Sequence, residues 1–349
     1  MLKLLACLIA LPLAGADFQA GVARLKITPE APVRVAGDLW AKALAVEDAK
    51  GHRVVIVTTD LIGLPRSITD PVAARTGLDR AQLVFSSSNT HSGPVLRGSS
   101  GYSVKLADSL VTVIGAALGD LKPAVLAYGE GAAEFGVNPT GPRDTAVPVL
   151  KVAKPDGTLL AVLFGYACRN TTVGGDFFQI SGDYAGFAQL ELEKKHPGSV
   201  ALFIQLCGAD ANPNPRGTLA LAQQHGRTLA AQVDRVLSSP MMSVRGPIRG
   251  AFRIVEPKFA PHLEEGRPIR RIPYPVQAIR FGKSLTLVAL GGEVVADYAL
   301  RIKREYRSAK EPIIVAGYSN DVMGYIPHVD GIEETIFTGI HSVMKRVGK

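Results

Sequence analysis

The sequence predicts an α/β fold in which layered mixed sheets are flanked by helices, with a cleft at the carboxyl ends of the strands. Short apolar runs alternate with helical patterns, as is typical of layered α/β domains. The 36 Gly and 23 Pro residues indicate many loops. Apolar residues make up 47% of the chain and charged residues 20%, which supports a sizeable core and excludes a disordered protein.

Eleven apolar runs are predicted as strands. They are Val22–Ile27, Ala43–Val46, Val54–Val57, Leu83–Phe85, Ala124–Ala127, Val147–Val152, Leu159–Tyr166, Val200–Leu206, Val276–Phe281, Leu285–Leu290 and Ile313–Ala316. Helical patterns cover Val104–Leu118, Asp183–His196, Thr218–Val236 and Val294–Tyr306. The segment 246–275 is irregular and rich in Pro, Arg and Glu, so we expect an excursion or a flap there.

The first sixteen residues are expected to be a cleavable export signal. Lys3 is a positive start, the apolar run Leu4–Leu13 is too short to span a bilayer, and Ala14-Gly15-Ala16 matches a cleavage site. The sequence therefore predicts an exported protein, periplasmic or secreted, with one elaborated domain over residues 17–349.

The charge balance argues against a nucleic-acid partner. The chain has 39 Lys and Arg against 31 Asp and Glu, a formal net charge of +8. The excess is spread thinly, without the basic clusters and interleaved aromatic residues that nucleic-acid binding needs. Peripheral contact with an anionic membrane stays open.

Polar loops follow six of the predicted strands. They are Thr58–Asp60, Ser86–Pro94, Cys168–Asp183, Cys207–Asn214, Gly291–Glu293 and Tyr318–Asp321. In α/β sheets, ligands bind in the crevice outside the carboxyl ends of the strands. We therefore expect these loops to form one common site.

His91 is the only histidine in these loops and so the one acid or base that titrates near neutral pH. Glu293 precedes a helix, where a carboxylate either takes part in the chemistry or complements the helix dipole. Asp183 opens its helix as a predicted N-cap. The sequence does not select a nucleophile among the loop hydroxyls of Ser92, Thr171, Thr172 and Ser181.

Several of these loop motifs resemble the signature of the neutral/alkaline ceramidases. The matching segments, in the same order, are Thr90-His91-Ser92-Gly93-Pro94, Ile180-Ser181-Gly182-Asp183, Gly208–Asn214, Gly292-Glu293, and Asn320-Asp321 followed by Gly324-Tyr325. The resemblance covers roughly Ala20 to Pro327 and predicts no C-terminal immunoglobulin-like domain. It implies a catalytic α/β domain of the zinc amidohydrolases that split ceramide into sphingosine and a fatty acid.

The family's zinc ligands carry over poorly. Asn89 and Arg169 stand where the resemblance places two zinc-binding histidines, and Val322 stands where it places a tyrosine. Only Glu293 remains. Asn212 occupies the place of the serine nucleophile, and Pro139, with Arg143 nearby, replaces a family arginine.

The remaining site assignments follow from the same resemblance. Asp183 joins His91 and Asn212 as a catalytic candidate. The candidates for binding substrate are Ser92, Asn89, Thr171 and Asn320.

Zinc needs three or four N, S or O ligands, and a guanidinium, which is always positive, cannot be one. We therefore expect no zinc and no other cofactor. In the place of the metal, Arg169 is expected to pair with Glu293 through two parallel hydrogen bonds. The amide of Asn89 is expected to bond either partner.

Three hypotheses remain open. The one we prefer is a divergent hydrolase that cleaves a lipid amide, a small amide or an ester with His91 and a loop hydroxyl. The second is an inactive homologue that binds a lipid-like or amide ligand. The third is a site for a harder cation, rebuilt from the carboxylates of Asp60, Asp183, Asp210 and Glu293.

Cys168 and Cys207 follow two strands that a right-handed crossover would place side by side. A disulfide between them and a pair of free thiols both stay open.

Overall fold

The computed structural model describes residues 16–30, 33–96, 101–259, 270–308 and 311–348. The predicted export signal lies outside these residues except for Ala16, and residues 260–269 of the expected flap also lie outside them. Within the described ranges there are nineteen strands, six α-helices and a short 3₁₀ helix at Arg80–Gln82.

The strands and helices are numbered separately, each in chain order. The strands are β1 Phe18–Lys26, β2 Trp40–Asp48, β3 Arg53–Thr59, β4 Leu83–Ser87, β5 Lys122–Ala132, β6 Gly136–Val137, β7 Ala146–Ala153, β8 Leu159–Tyr166, β9 Val200–Gln205, β10 Asn212–Pro213, β11 Met242–Val244, β12 Ile248–Val255, β13 Lys258–Phe259, β14 Arg270–Arg271, β15 Tyr274–Phe281, β16 Leu285–Leu290, β17 Glu293–Val294, β18 Ile313–Ala316 and β19 Tyr325–Ile326. The helices are α1 Arg66–Thr76, α2 Gly101–Gly119, α3 Asp183–Lys195, α4 Leu219–Leu237, α5 Ala296–Tyr306 and α6 Ile332–Gly348.

Two sheets carry the fold. The larger has nine strands in the order β4-β3-β2-β1-β5-β7-β8-β9, with β11 paired to β5, and the smaller has the order β12-β15-β16-β18. Within these sheets, the parallel pairs are β3–β4, β8–β9 and β16–β18. The predicted layered mixed α/β fold is confirmed.

Each parallel pair is joined by a crossover helix, since parallel neighbours need such a connection. The units are β3-α1-β4, β8-α3-β9 and β16-α5-β18. Their six strands are the ones for which the sequence predicts polar loops. Isolated bridges between Ser86 and Ser319 and between Leu206 and Ala316 join the ends of different units. The polar loops are therefore brought to one place by topology.

The strands are apolar on both faces because both faces are covered. In β3, Val54 and Ile56 belong to the inner core between the two sheets, whereas Val55 and Val57 pack with the residues of α1 and α2. The pair α3 and α4 covers β7 to β9, and α5 and α6 cover the smaller sheet.

Among the described helices, α2 alone is long and apolar enough by length and composition to cross a membrane. In this fold its Leu106, Leu110 and Val113 are buried with residues of β1 to β3.

All eleven predicted strands and four predicted helices are present; β8, β16 and β18 have the predicted ends, and the ends of the others are shifted. Two helices were not predicted: α1, which contains Pro71, and α6, although Ile332, Ile336 and Ile340 recur at helical spacing. The strand β12 at the start of the expected flap, an edge strand of the smaller sheet with several exposed side chains, was also not predicted. The helix predicted from Val294 begins at Ala296, because Val294 pairs with β19.

Candidate functional site

Four of the converging loops bring polar side chains together. His91 follows β4, Arg169 follows β8, Glu293 follows β16 and Tyr318 follows β18. Arg169 Nη2 lies 3.3 Å from His91 Nε2 and 3.7 Å from Glu293 Oε2. The Tyr318 hydroxyl donates to the same Glu293 oxygen at 3.5 Å. The result is a polar chain that runs His91–Arg169–Glu293–Tyr318.

The predicted ion pair between Arg169 and Glu293 is present, but it is looser than expected. The separation of 3.7 Å makes it a charge contact without the two parallel hydrogen bonds that the sequence analysis predicts. The Nε atom of Arg169 is buried and has no hydrogen-bond partner in the part of the chain that the structure describes. Arg169 therefore divides its guanidinium between a carboxylate and an imidazole.

The contact with Arg169 determines the tautomer of His91 and lowers its tendency to be protonated. A guanidinium only donates hydrogen bonds, so Nε2 of His91 accepts and the proton lies on Nδ1. Partial burial of the ring, together with the positive charge of Arg169, lowers the pKa of His91 below its usual value. His91 is consequently a neutral base at the cleft when the pH is near neutral.

Asn89 does not bond Arg169 or Glu293, so that part of the sequence prediction is wrong. Its Nδ2 donates to the Ile62 carbonyl oxygen at 3.4 Å, and its buried Oδ1 has no hydrogen-bond partner among the residues described. The backbone of Asn89 is left-handed, with φ of 64°. That conformation directs the side chain towards the loop after β3 instead of towards Arg169.

The backbone is unusual throughout these loops. Among the described residues, the non-glycine residues with positive φ are Asn89, Asp183, Tyr318 and Asn320; three follow the ends of β4 and β18, and Asp183 begins α3 at the end of the loop after β8. Asn and Asp tolerate this conformation, but a bulky Tyr adopts it rarely. Strained backbone collects at functional sites, where the surrounding structure holds it in place.

A cavity of about 520 Å³ opens beside His91. It is lined by His91, Ser92, Thr171, Val173, Gly174, Gly175, Phe177, Arg216 and Gly217. Thr171 Oγ1 donates to Asn212 Oδ1 at 3.1 Å, and Arg216 Nη1 donates to the same oxygen at 3.4 Å. Three of the predicted site residues, His91, Ser92 and Thr171, thus line one cavity, and a fourth, Asn212, is hydrogen-bonded to two lining residues.

Two other predicted site residues, Asp183 and Asn320, accept hydrogen bonds from backbone amides instead. The buried carboxylate of Asp183 accepts hydrogen bonds from the amides of Thr172, Val173 and Tyr184, which shapes the loop beside the cavity. Gly182, not Asp183, is the N-cap of α3. These contacts give Asp183 a positioning role and do not support direct catalysis.

Asn320 is almost fully buried between strands. Its Oδ1 accepts from the Phe85 amide, and its Nδ2 donates to Gln277 Oε1 at 2.8 Å. The side chain ties β4 to β18 and β15, and these contacts do not support its predicted role in substrate binding.

The residues at the four zinc positions do not fit zinc. Arg169 is a cation, and Val322 offers no ligand atom and packs against Gly63. Asn89 has a free Oδ1, but among described residues no group of three or more His, Cys, Asp and Glu side chains could hold a metal ion. Glu293 alone is a ligand of the usual kind.

The carboxylate alternative also lacks support. Asp60 accepts from the Trp40 amide and Gln189, and Asp210 accepts from the Ala296 amide and Asn138. Together with Asp183, these side chains serve separate loops, so they do not build the predicted site for a harder cation.

Cys168 and Cys207 are free thiols, so the disulfide alternative is wrong. The strands β8 and β9 are parallel neighbours, as predicted. The two side chains, however, pack in different cores: Cys168 lies under α3 and α4, and Cys207 lies under α5 and α6.

Two residues of the site were not assigned a role from the sequence. Tyr318 stands in a predicted loop, and only the structure shows that its hydroxyl reaches Glu293. Arg216 lies between Pro215 and Gly217, just past the fourth loop, and a basic residue next to such turn formers was the available signal.

The fold matches solved ceramidase structures. A neutral ceramidase from Pseudomonas aeruginosa superposes with a TM-score of 0.79 at 19% identity, over 89% of this chain and 69% of that one. A ceramidase complexed with C2 gives a TM-score of 0.78 at 20% identity, over 89% of this chain and 70% of that one. No protein-family model and no curated protein matches the sequence. The chain therefore has the fold of the neutral ceramidases.

Proposed function

We propose that this protein is a divergent, ceramidase-like hydrolase that cleaves a linear amide or ester of a lipid-like substrate without zinc. The observation that carries the proposal is the neutral His91 at a cavity of about 520 Å³ whose wall also holds hydroxyls and a guanidinium. Two solved structures with this fold are ceramidases, and one of them is complexed with C2.

The proposed roles follow from the chemistry of the side chains. His91 accepts the proton of the attacking water or of the Ser92 or Thr171 hydroxyl, and later returns it to the leaving amine or alcohol. A carbonyl oxygen that gains negative charge in this step is stabilised by a nearby guanidinium, either Arg169 or Arg216. Glu293 and Tyr318 hold Arg169 beside His91.

One observation favours the alternative of an inactive homologue that binds a lipid-like or amide ligand. The Nε2 lone pair of His91 already accepts from Arg169, and no described hydroxyl bonds the imidazole. A base whose lone pair is occupied must exchange that contact for one with substrate or water before it can act.

A panel of fluorogenic N-acyl amides and esters separates the two functions. For the hydrolase, we expect turnover by the wild-type protein and a loss on the order of 10²–10⁴ in rate for His91→Ala. Circular dichroism of the variant checks that the fold is intact. Binding of several panel members with no turnover of any of them would favour the inactive homologue.

Export and peripheral membrane contact are also proposals, which rest on the N-terminal sequence and the net charge. Fractionation of cells that express the full chain tests the first, and sedimentation with anionic vesicles tests the second.

A further inference from the structure

The cavity beside His91 is bordered by a positive charge that has no acidic partner among the described residues. Arg216 lines the cavity, is exposed, and within the described part of the chain donates only to the amide oxygen of Asn212, at 3.4 Å. Among the described residues, no carboxylate lies within ion-pair distance of its guanidinium. Arg216 is therefore available to a ligand.

A second guanidinium lies behind His91. Arg169 contacts the His91 ring at 3.3 Å and has one acidic neighbour, Glu293, at 3.7 Å. Its buried Nε has no hydrogen-bond partner among the described residues. Arg216 thus lines the cavity together with His91, and Arg169, which is paired with Glu293, lies against the His91 ring.

The other described carboxylates of this region are not paired with Arg216. Asp183 directs its oxygens to the amides of Thr172, Val173 and Tyr184. Asp176 is exposed, and its carboxylate lies next to Gly174, beyond ion-pair distance of the Arg216 guanidinium. Val173 and Phe177 give the cavity an apolar wall.

We propose that the cavity selects acyl amides that carry an oxyanion, with Arg216 pairing with the oxyanion and the apolar wall holding the acyl chain. This substrate class rests on the proposed function. A guanidinium binds carboxylate and sulfonate oxygens through charge-assisted, often bidentate hydrogen bonds, whereas a neutral hydroxyl gains no such charge.

Three probes of equal chain length test the selection. They are N-dodecanoylglycine, N-dodecanoyltaurine and the neutral N-dodecanoylethanolamine, with dissociation constants measured by calorimetry below their critical micelle concentrations. We expect the wild-type protein to bind at least one acidic probe about tenfold or more tightly than the neutral one. A stronger preference for the glycine conjugate assigns the site to carboxylates, and the reverse assigns it to sulfonates.

Variants of Arg216 test whether this residue causes the preference for acidic probes. Arg216→Gln is expected to remove the preference, and Arg216→Lys to retain part of it, because an ammonium keeps the charge without the planar fork. Arg227→Gln on the exposed side of α4 is the matched control and should leave the preference unchanged. Equal binding of acidic and neutral probes by the wild-type protein, or an unchanged preference in Arg216→Gln, overturns the proposal.

Turnover of the same probes is measured separately. Hydrolysis of the ethanolamide without any preference for the acids would support the hydrolase and overturn the selection. A preference for the acids that depends on Arg216, without hydrolysis of any probe, would support the selection and count against the hydrolase.

Discussion

The ion pair between Arg169 and Glu293 can be measured with a double-mutant cycle. At 3.7 Å, two unit charges attract by about 1 kcal/mol at the dielectric constant of water and by about 4 kcal/mol at an effective value of about 20. The side chains are 27% and 22% exposed, and no direct hydrogen bond joins them. We therefore expect a coupling free energy of about 1 to 2 kcal/mol, above that of most surface pairs.

The assay is urea unfolding of the wild-type protein, Arg169→Met, Glu293→Gln and the double variant. Arg169→Met should be more destabilising alone than in combination with Glu293→Gln, because it leaves the carboxylate half-buried without its cation. A coupling within about 0.3 kcal/mol of zero would refute the reasoning, since it is the additivity expected of independent sites. Arg227→Gln combined with Glu293→Gln is the control and should be additive.

Three further predictions concern the same loops. Metal analysis should find far less than one zinc per chain, and a chelator should leave the unfolding temperature unchanged. One tightly held zinc would contradict the interpretation that Arg169 occupies the place of a zinc ligand. Asn320→Ala should cost about 2 to 4 kcal/mol in unfolding free energy, because it leaves the buried amide of Phe85 and the Oε1 atom of Gln277 unpaired; probe binding should not change. The pKa of His91 is lowered in the folded state, so folding opposes protonation of this ring. The free energy of unfolding of the wild-type protein relative to His91→Gln should therefore be highest above the ordinary pKa of about 6.5 and decline as the pH falls towards the folded-state pKa. Unfolding of both proteins at pH 8 and pH 5 checks the sign.

Much of the fold could be predicted because burial on both faces leaves a plain signal. The run Val54–Val57 is apolar throughout since a core lies on each side of β3. The convergence of the loops followed from the same strands, because parallel strands that share a crossover end at the same edge. The helix α1 was not predicted from the sequence because Pro71 interrupts a weak apolar pattern.

The site was less predictable because sequence shows residue types but not where their atoms point. Asn320 and Asp183 are polar residues of a motif that resembles a catalytic one, yet their oxygens bond backbone amides. The resemblance places Asn89 and Arg169 at two ligand positions of one zinc site. The backbone of Asn89 is left-handed, however, and its side chain bonds the Ile62 carbonyl. The pairing of Arg169 with Glu293 was predicted because the resemblance places both residues at zinc-ligand positions, where a cation and a carboxylate attract each other.

Unpaired polar atoms give a separate argument that these loops meet a ligand. Four buried side-chain N or O atoms of these loops have no hydrogen-bond partner among the described residues, and they belong to Ser88, Asn89, Arg169 and Thr172. A buried polar atom without a hydrogen bond costs about 1 to 3 kcal/mol, so folding alone does not favour collecting four of them at the ends of two strands. The same loops hold the left-handed backbone of Asn89 and contribute His91, Ser92 and Thr171 to the cavity wall. The stability given up there is consistent with selection for binding or chemistry at these loops, because a purely structural strand end would pair its polar groups as Asn320 does.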